Sequence, residues 1–276
     1  MPPTEKAYKN LKFLNSPHAR HIRILCEYEE PRTRFIEQQV KDTIVMFGSA
    51  RVRDPEHARA DLERAQRTLE AVVEEEHRPR ALAELAQAQR VLRLSRYYAD
   101  TRELAKRLTE WSLAHAAGRH YLVCSGGGPG IMEAANRGAA DVPNGRSVGL
   151  GISLPFEEQV NDYCTPELAF QFHYFFMRKY WFAYLAKAMV ILPGGFGTLD
   201  ELFEILTLRQ TGKIKKKLPM VLFGTEYWDS IINLEKMVEW GTIAERDLQL
   251  VFRTDSVDEA FTFLTTALEE ANGELR

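Results

Sequence analysis

From about residue 43 the chain repeats one pattern: a short, continuous run of β-forming apolar residues, followed by a longer stretch with helical spacing. The runs are Thr43–Phe47, His120–Cys124, Ser147–Ile152, Ala188–Leu192, Pro219–Phe223 and Gln249–Phe252. Helices are expected at roughly Tyr97–Ala117, Pro129–Ala140, His173–Lys187, Thr198–Thr211, Tyr227–Glu239 and Ser256–Ala271. Strands that are apolar at every position need cover on both faces, and strands alternating with helices build βαβ units. The spacing therefore predicts an α/β fold, a doubly wound parallel sheet over residues 43–276. Gly118 and Gly212 read as C-terminal caps, Pro129 as a helix opening and Ser256 as an N-cap.

Two segments stand outside this alternation. Residues 1–42 read as a helical N-terminal arm: Ser16-Pro17 starts a helix, Ile22, Leu25 and Cys26 recur at helical spacing, and Pro31 ends the run. Residues 54–95 read as a helical hairpin inserted after the first strand, with Leu62, Leu69, Leu82, Leu85 and Leu92 at helical spacing around a break at Pro79. Its eight arginines nearly cancel nine acidic residues between Val52 and Ser95, which favours an oligomer contact or a solvent-facing hairpin over an RNA clamp.

With 45% hydrophobic and 27% charged residues in 276, disordered and collagen-like classes are excluded. A net charge of −3 provides no global attraction to nucleic acid or to an anionic membrane. The basic run Lys213–Lys217 reads as a solvated helix C-terminus complementing the macrodipole. Cys26, Cys124 and Cys164 are odd in number and widely spaced, without the pairing of a disulfide framework or a zinc site. The N-terminus lacks the apolar stretch of a signal peptide, so a cytoplasmic location is expected, with no membrane partner, no metal and no cofactor.

The chemistry concentrates in loops that follow the strands. After His120–Cys124 comes Ser125-Gly126-Gly127-Gly128-Pro129-Gly130, then a helix. Consecutive glycines let backbone approach a ligand, and a helix N-terminus offers unpaired N–H groups to an anion. Neither the dinucleotide nor the P-loop fingerprint is met. A second loop of this kind, Pro193-Gly194-Gly195-Phe196-Gly197-Thr198, follows Ala188–Leu192 and runs into Leu199-Asp200-Glu201. Three glycines and a hydroxyl at a helix N-terminus suit a phosphate. A shorter feature, Gly48-Ser49-Ala50, ends the first strand. All three loops fall at the carboxyl edge of the sheet, where open α/β sheets bind ligands.

Upstream, Phe170 to Tyr184 holds nine aromatics in fifteen positions and reads mainly as the packing of a buried helix. Within it Arg178 and Lys179 stand in apolar surroundings and require an anionic partner, either a substrate phosphate or Glu201.

Pro193–Glu201, which reads P-G-G-x-G-T-x-x-E, with the Arg178-Lys179 pair and Gly126–Gly128, resembles the LONELY GUY phosphoribohydrolases, a Rossmann-like family. The resemblance covers about residues 43–239 outside the hairpin. It implies cleavage of the N-glycosidic bond of a nucleoside 5′-monophosphate, AMP-like or a cytokinin riboside monophosphate, to free base and ribose 5-phosphate. It makes Arg178 and Glu201 the catalytic pair, with Gly194, Gly195, Gly197 and Thr198 on the phosphate. Lys179, Asp200 and Thr207 become further substrate contacts, and Glu158 a base contact; Ser49, Gly127 and Gly128, in the loops at the sheet edge, are read as substrate contacts as well. A homodimer or larger homo-oligomer is expected from the same resemblance.

A carboxylate near C1′ would stabilise oxocarbenium charge and position water, while Arg178, at its high pKa, would orient rather than protonate. Similar Rossmann-like proteins carry a nucleotide or molybdenum cofactor without chemistry, but a carrier needs no carboxylate beside the sugar. A pyridoxal-phosphate decarboxylase would need a Schiff-base lysine, and nothing in the sequence singles one out.

Overall fold

The computed structural model describes residues 4–114, 121–154 and 160–273. In chain order the elements are α1 (Leu11–Leu14), α2 (Arg20–Glu37), β1 (Asp42–Phe47), α3 (Pro55–Ala71), α4 (Arg78–Ala114), β2 (Tyr121–Ser125), α5 (Ile131–Ala140), β3 (Ser147–Ile152) and β4 (Ala169–Phe172). There follow α6 (Phe175–Leu185), β5 (Ala186–Ile191), α7 (Phe196–Gln210), β6 (Met220–Phe223), α8 (Thr225–Ile231), α9 (Leu234–Glu239), β7 (Phe252–Thr254) and α10 (Val257–Gly273). Among the described residues, no helix is long and apolar enough to cross a membrane.

The seven strands form one parallel sheet in the order β4-β3-β2-β1-β5-β6-β7. Both faces are covered, as continuous apolar strands require. Along β1, Val45 and Phe47 enter a core shared with Phe35 of α2, Trp181 and Phe182 of α6, and Leu202 of α7. Ile44 and Met46 enter the opposite core, with Leu104 and Leu108 of α4, Ile131 of α5 and Leu264 of α10. The chain winds outward from β1 in both directions, so strand order reverses between β1 and β5. That reversal opens a crevice at the carboxyl ends of these two strands, the usual ligand position in such sheets.

Several boundaries differ from the sequence reading. The helix expected at Tyr97–Ala117 and the second half of the hairpin are one continuous helix, α4, with Pro79 tolerated in its first turn. The described part ends at Ala114, so Gly118 lies outside the described residues. An unforeseen edge strand, β4, lies within the aromatic segment; it has only four residues, interrupted by the exposed Gln171. The following helix stops at Leu185, and β5 begins at Ala186 without a loop. A register irregularity against β1 absorbs Lys187, and the Lys187 Nζ stands 3.5 Å from the buried Asp42. The helix expected over residues 227–239 breaks at Asn233, whose side chain caps α9 through the Lys236 N–H at 2.8 Å. The last strand is Phe252–Thr254 rather than Gln249–Phe252, because Glu245–Leu250 winds into a 3-10 helix held by the Asp247 carboxylate on the Ala244 N–H. Gly212, at φ +71°, caps α7 as expected.

The arm also differs. Pro31 does not end α2; it is buried inside the helix. Proline removes the hydrogen bond to the carbonyl four residues back, and here the Trp181 Nε1–H donates instead to that Glu27 carbonyl, at 3.0 Å. The face that packs is Ile24, Tyr28, Pro31 and Phe35, while Leu25 and Cys26 are exposed. In the basic run, Lys216 is partly buried rather than fully solvated. It donates to the carbonyls of Ala183 and Tyr184 at the end of α6, and burial pushes its pKa down to about 8.

Candidate active site

A cavity of about 710 Å³ lies over the β1/β5 crevice. Its walls include Ser49, Gly126, Gly127, Gly128, Arg178, Gly194, Gly195, Gly197, Thr198, Asp200 and Glu201. Residues widely separated in sequence are thus collected by the strand ends that carry them. Lys179 and Thr207 are not on the wall, and Glu158 lies outside the described residues.

The loop after β5 is built around a free helix start. Gly194 has a packing reason to be glycine, because a Cβ there would collide with Thr198. Gly195 and Gly197 have none: a Cβ at either would meet only open space, and neither needs a positive φ. Their missing side chains keep the cavity side of the loop clear. Among the described residues, the amides of Phe196, Gly197 and Thr198 meet no hydrogen-bond acceptor, and the N-cap Gly195 offers no side chain. These donors, on the positive end of a 15-residue helix, are free to bond an anion, with the buried Thr198 beside them. The Tyr227 hydroxyl donates to the Gly194 carbonyl at 2.7 Å, and the Ser49 N–H to the Pro193 carbonyl at 3.0 Å, so the loop is braced from β6 and β1 sides.

Glu201 follows one turn later and is only 6% exposed. A carboxylate that merely complements the macrodipole would sit in solvent with its ionised form favoured. Glu201 shows the opposite: burial pushes its pKa up to about 7, with Lys179 and Arg178 opposing the rise. A group titrating near neutrality in a cleft is suited to moving a proton.

Arg178 reaches the same cavity from α6. Its Nε donates to the Leu150 carbonyl at 2.6 Å, its Nη2 lies 3.4 Å from the Gly126 carbonyl, and its guanidinium stands over the Phe182 ring. A Cβ at Gly126 would meet Nη2 and the Met132 sulfur, so a larger residue there would displace the Arg178 guanidinium. Lys179 turns the other way: Nζ lies 2.7 Å from Asp200 and 2.6 Å from Glu204. Burial works against this ammonium, but the two carboxylates hold its pKa above the ordinary lysine value. Lys179 thereby ties α6 to α7 and holds Asp200 at the cavity edge. Thr207 donates to the Phe203 carbonyl within α7 and faces outward.

The sequence reading missed the residues that hold the loops. Asn161 Nδ2 donates to the carbonyls of Gly127 and Gly128 at 3.0 and 3.1 Å and to Asn136 Oδ1, which accepts from Ser125. Lone asparagines in irregular segments carry no periodic signal. Tyr227 was hidden likewise, within an expected helix.

The family described as "possible lysine decarboxylase" matches residues 132–264. Among the described residues no lysine lines the cavity, so Schiff-base chemistry has no candidate there. The probable cytokinin riboside 5′-monophosphate phosphoribohydrolase LOG4 of Oryza sativa subsp. japonica is 32% identical over 60% of this chain and 68% of its own length. The cytokinin riboside 5′-monophosphate phosphoribohydrolase LOG4 of Arabidopsis thaliana is 35% identical over 34% of this chain, and the match spans 41% of that relative. The Mycobacterium marinum enzyme of the same description is 27% identical over 53% of this chain and 78% of its own length. With the phosphate-type loop, the buried glutamate and the arginine on one cavity, these similarities make the chain a member of the LONELY GUY family.

Proposed function

We propose that this protein hydrolyses the N-glycosidic bond of nucleoside 5′-monophosphates, AMP-like or cytokinin riboside monophosphates, to free base and ribose 5-phosphate. The observation that carries the reading is a buried glutamate of pKa about 7, one turn beyond a cluster of open amides and on the same cavity wall.

The phosphate sits on the amides of Phe196, Gly197 and Thr198, which brings the ribose over Glu201. As the C1′–N bond lengthens, the Glu201 carboxylate stabilises positive charge on the ribose and takes the proton of the attacking water. Water oxygen bonds to C1′, the glycosidic electron pair leaves with the base, and the base takes a proton from solvent, to which Glu201 returns the one it accepted. Arg178 fixes the substrate by directed donors. Similarity to the relatives named above supports the substrate class.

The test is purified protein with AMP, with a cytokinin riboside monophosphate and with adenosine, followed by chromatography. Base and ribose 5-phosphate should appear from the monophosphates and at least 100-fold more slowly from adenosine. Glu201→Gln should abolish turnover while retaining ribose 5-phosphate binding. No release from any monophosphate would overturn the reading.

A further inference from the structure

We propose that Arg51 supplies the full positive charge that binds the substrate's phosphate; the assignment rests on the function proposed above. A phosphate monoester carries roughly −1.5 to −2 charge at pH 7, whereas the start of a helix offers about half a positive charge. The open amides give direction and hydrogen bonds, but a cation is still required for balance.

The other cations of the neighbourhood are engaged elsewhere. Lys179 is held by Asp200 and Glu204 and is off the cavity wall. Arg178 donates to the carbonyls of Leu150 and Gly126, toward the β2/β3 side. Arg137 is paired with Asp54, and Arg53 with Asp61. Arg51 lines the cavity together with Gly194–Thr198, and among the described residues no carboxylate pairs with it.

Its backbone is fixed for this role. The Ser49 N–H donates to the Pro193 carbonyl, joining the two loops, and the Ser49 carbonyl accepts the Ile131 N–H at 3.1 Å. The Arg51 N–H then donates to Ser49 Oγ at 3.1 Å, which turns the chain, and Val52 is buried immediately after. A flexible guanidinium on a rigid turn, beside donors of fixed geometry, can grip a phosphate bidentately.

The experiment measures ribose 5-phosphate binding by calorimetry, and AMP kinetics, for the wild type, Arg51→Ala and Arg51→Lys, with melting temperatures as a control on folding. Arg51→Ala should weaken ribose 5-phosphate binding and raise the KM for AMP at least tenfold, the loss falling on KM rather than kcat. Arg51→Lys should recover part of it, and binding by the wild type should depend more steeply on salt than binding by Arg51→Ala. A folded Arg51→Ala protein that binds ribose 5-phosphate within twofold of the wild type would overturn the assignment while leaving the function intact. A wild type that does not bind ribose 5-phosphate would instead remove the functional reading, and this one with it.

Discussion

The two glycine-rich loops look interchangeable as sequence, each joining a buried parallel strand to a helix, yet their glycines are glycine for different reasons. In the loop after β2 the glycine carbonyls and the first amide of the helix are taken up internally, although the Met132 and Glu133 amides meet no acceptor among the described residues. Gly127 N–H donates to Ser125 Oγ, the carbonyls of Gly127 and Gly128 accept from Asn161, and the Ile131 N–H is capped by the Ser49 carbonyl. Gly127 and Gly130 adopt positive φ. In the loop after β5 the amides are open and two glycines have no steric reason to be glycine. The opening acids follow suit: Glu133 of α5 accepts from Tyr98 on α4, at 2.5 Å, while Glu201 of α7 faces the cavity. A glycine required by its own fold speaks of architecture; one the fold does not need points to a ligand.

That contrast can be broken by substitution. Gly195→Val or Gly197→Val should lower kcat/KM for AMP by about 100-fold or more, the ~3 kcal/mol of lost anion contacts, with melting temperature nearly unchanged. Gly130→Ala should instead act on stability first. Its Cβ would press into the Ser49 carbonyl at a positive φ, costing roughly 3 kcal/mol or more of stability. Equal losses of stability in both loops would erase the distinction.

The acids sharpen it through pH. The folded-state pKa of Glu201, about 7, lies above its ordinary 4.5. Between those values the folded protein keeps a proton that the unfolded chain has released. Stability from this group is therefore full below about pH 4.5 and is lost as pH rises through 7, by up to about 3 kcal/mol. Glu201→Gln should match the wild type in denaturant titrations at pH 4 and exceed it at pH 8. In the wild type, kcat/KM should rise as the carboxylate forms through pH 7.

Asn161→Ala should cost about 1–3 kcal/mol by stranding the Gly128 carbonyl, since the Gly127 carbonyl keeps the Asn161 backbone N–H, while ribose 5-phosphate affinity stays within twofold. The smallest effect is expected at Thr207. Thr207→Ala should shift stability by less than about 0.5 kcal/mol and leave the KM for AMP unchanged, because the hydroxyl serves its own helix.

How far the sequence alone could reach follows from what each feature depends on. Continuous apolar strands such as β1 and β5 announced a sheet covered on both sides, and Pro193–Glu201 announced a glycine-rich helix start with an acid behind it. Properties set by pairing were not legible. β4 owes its existence to β3, and α4 runs through a boundary that composition alone suggested. The destination of Lys179, toward Asp200 and Glu204 instead of the cavity, depends on how α6 and α7 meet. Arg51 carries no signal in the sequence, because an arginine in a loop is ordinary until its neighbours are known to be paired.

The proline-containing arm has a practical consequence for anyone trimming the chain to its first strand. Glu27 accepts the N–H groups of His173 and Tyr174 through its carboxylate, at 2.7 and 3.2 Å, while its carbonyl takes the Trp181 indole. Removing the first 41 residues would leave the leading turn of the Arg178 helix without its clasp. A shortened version that keeps every motif residue would then lose the posture of its arginine, and an inactive truncation would say nothing about the chemistry of the intact protein.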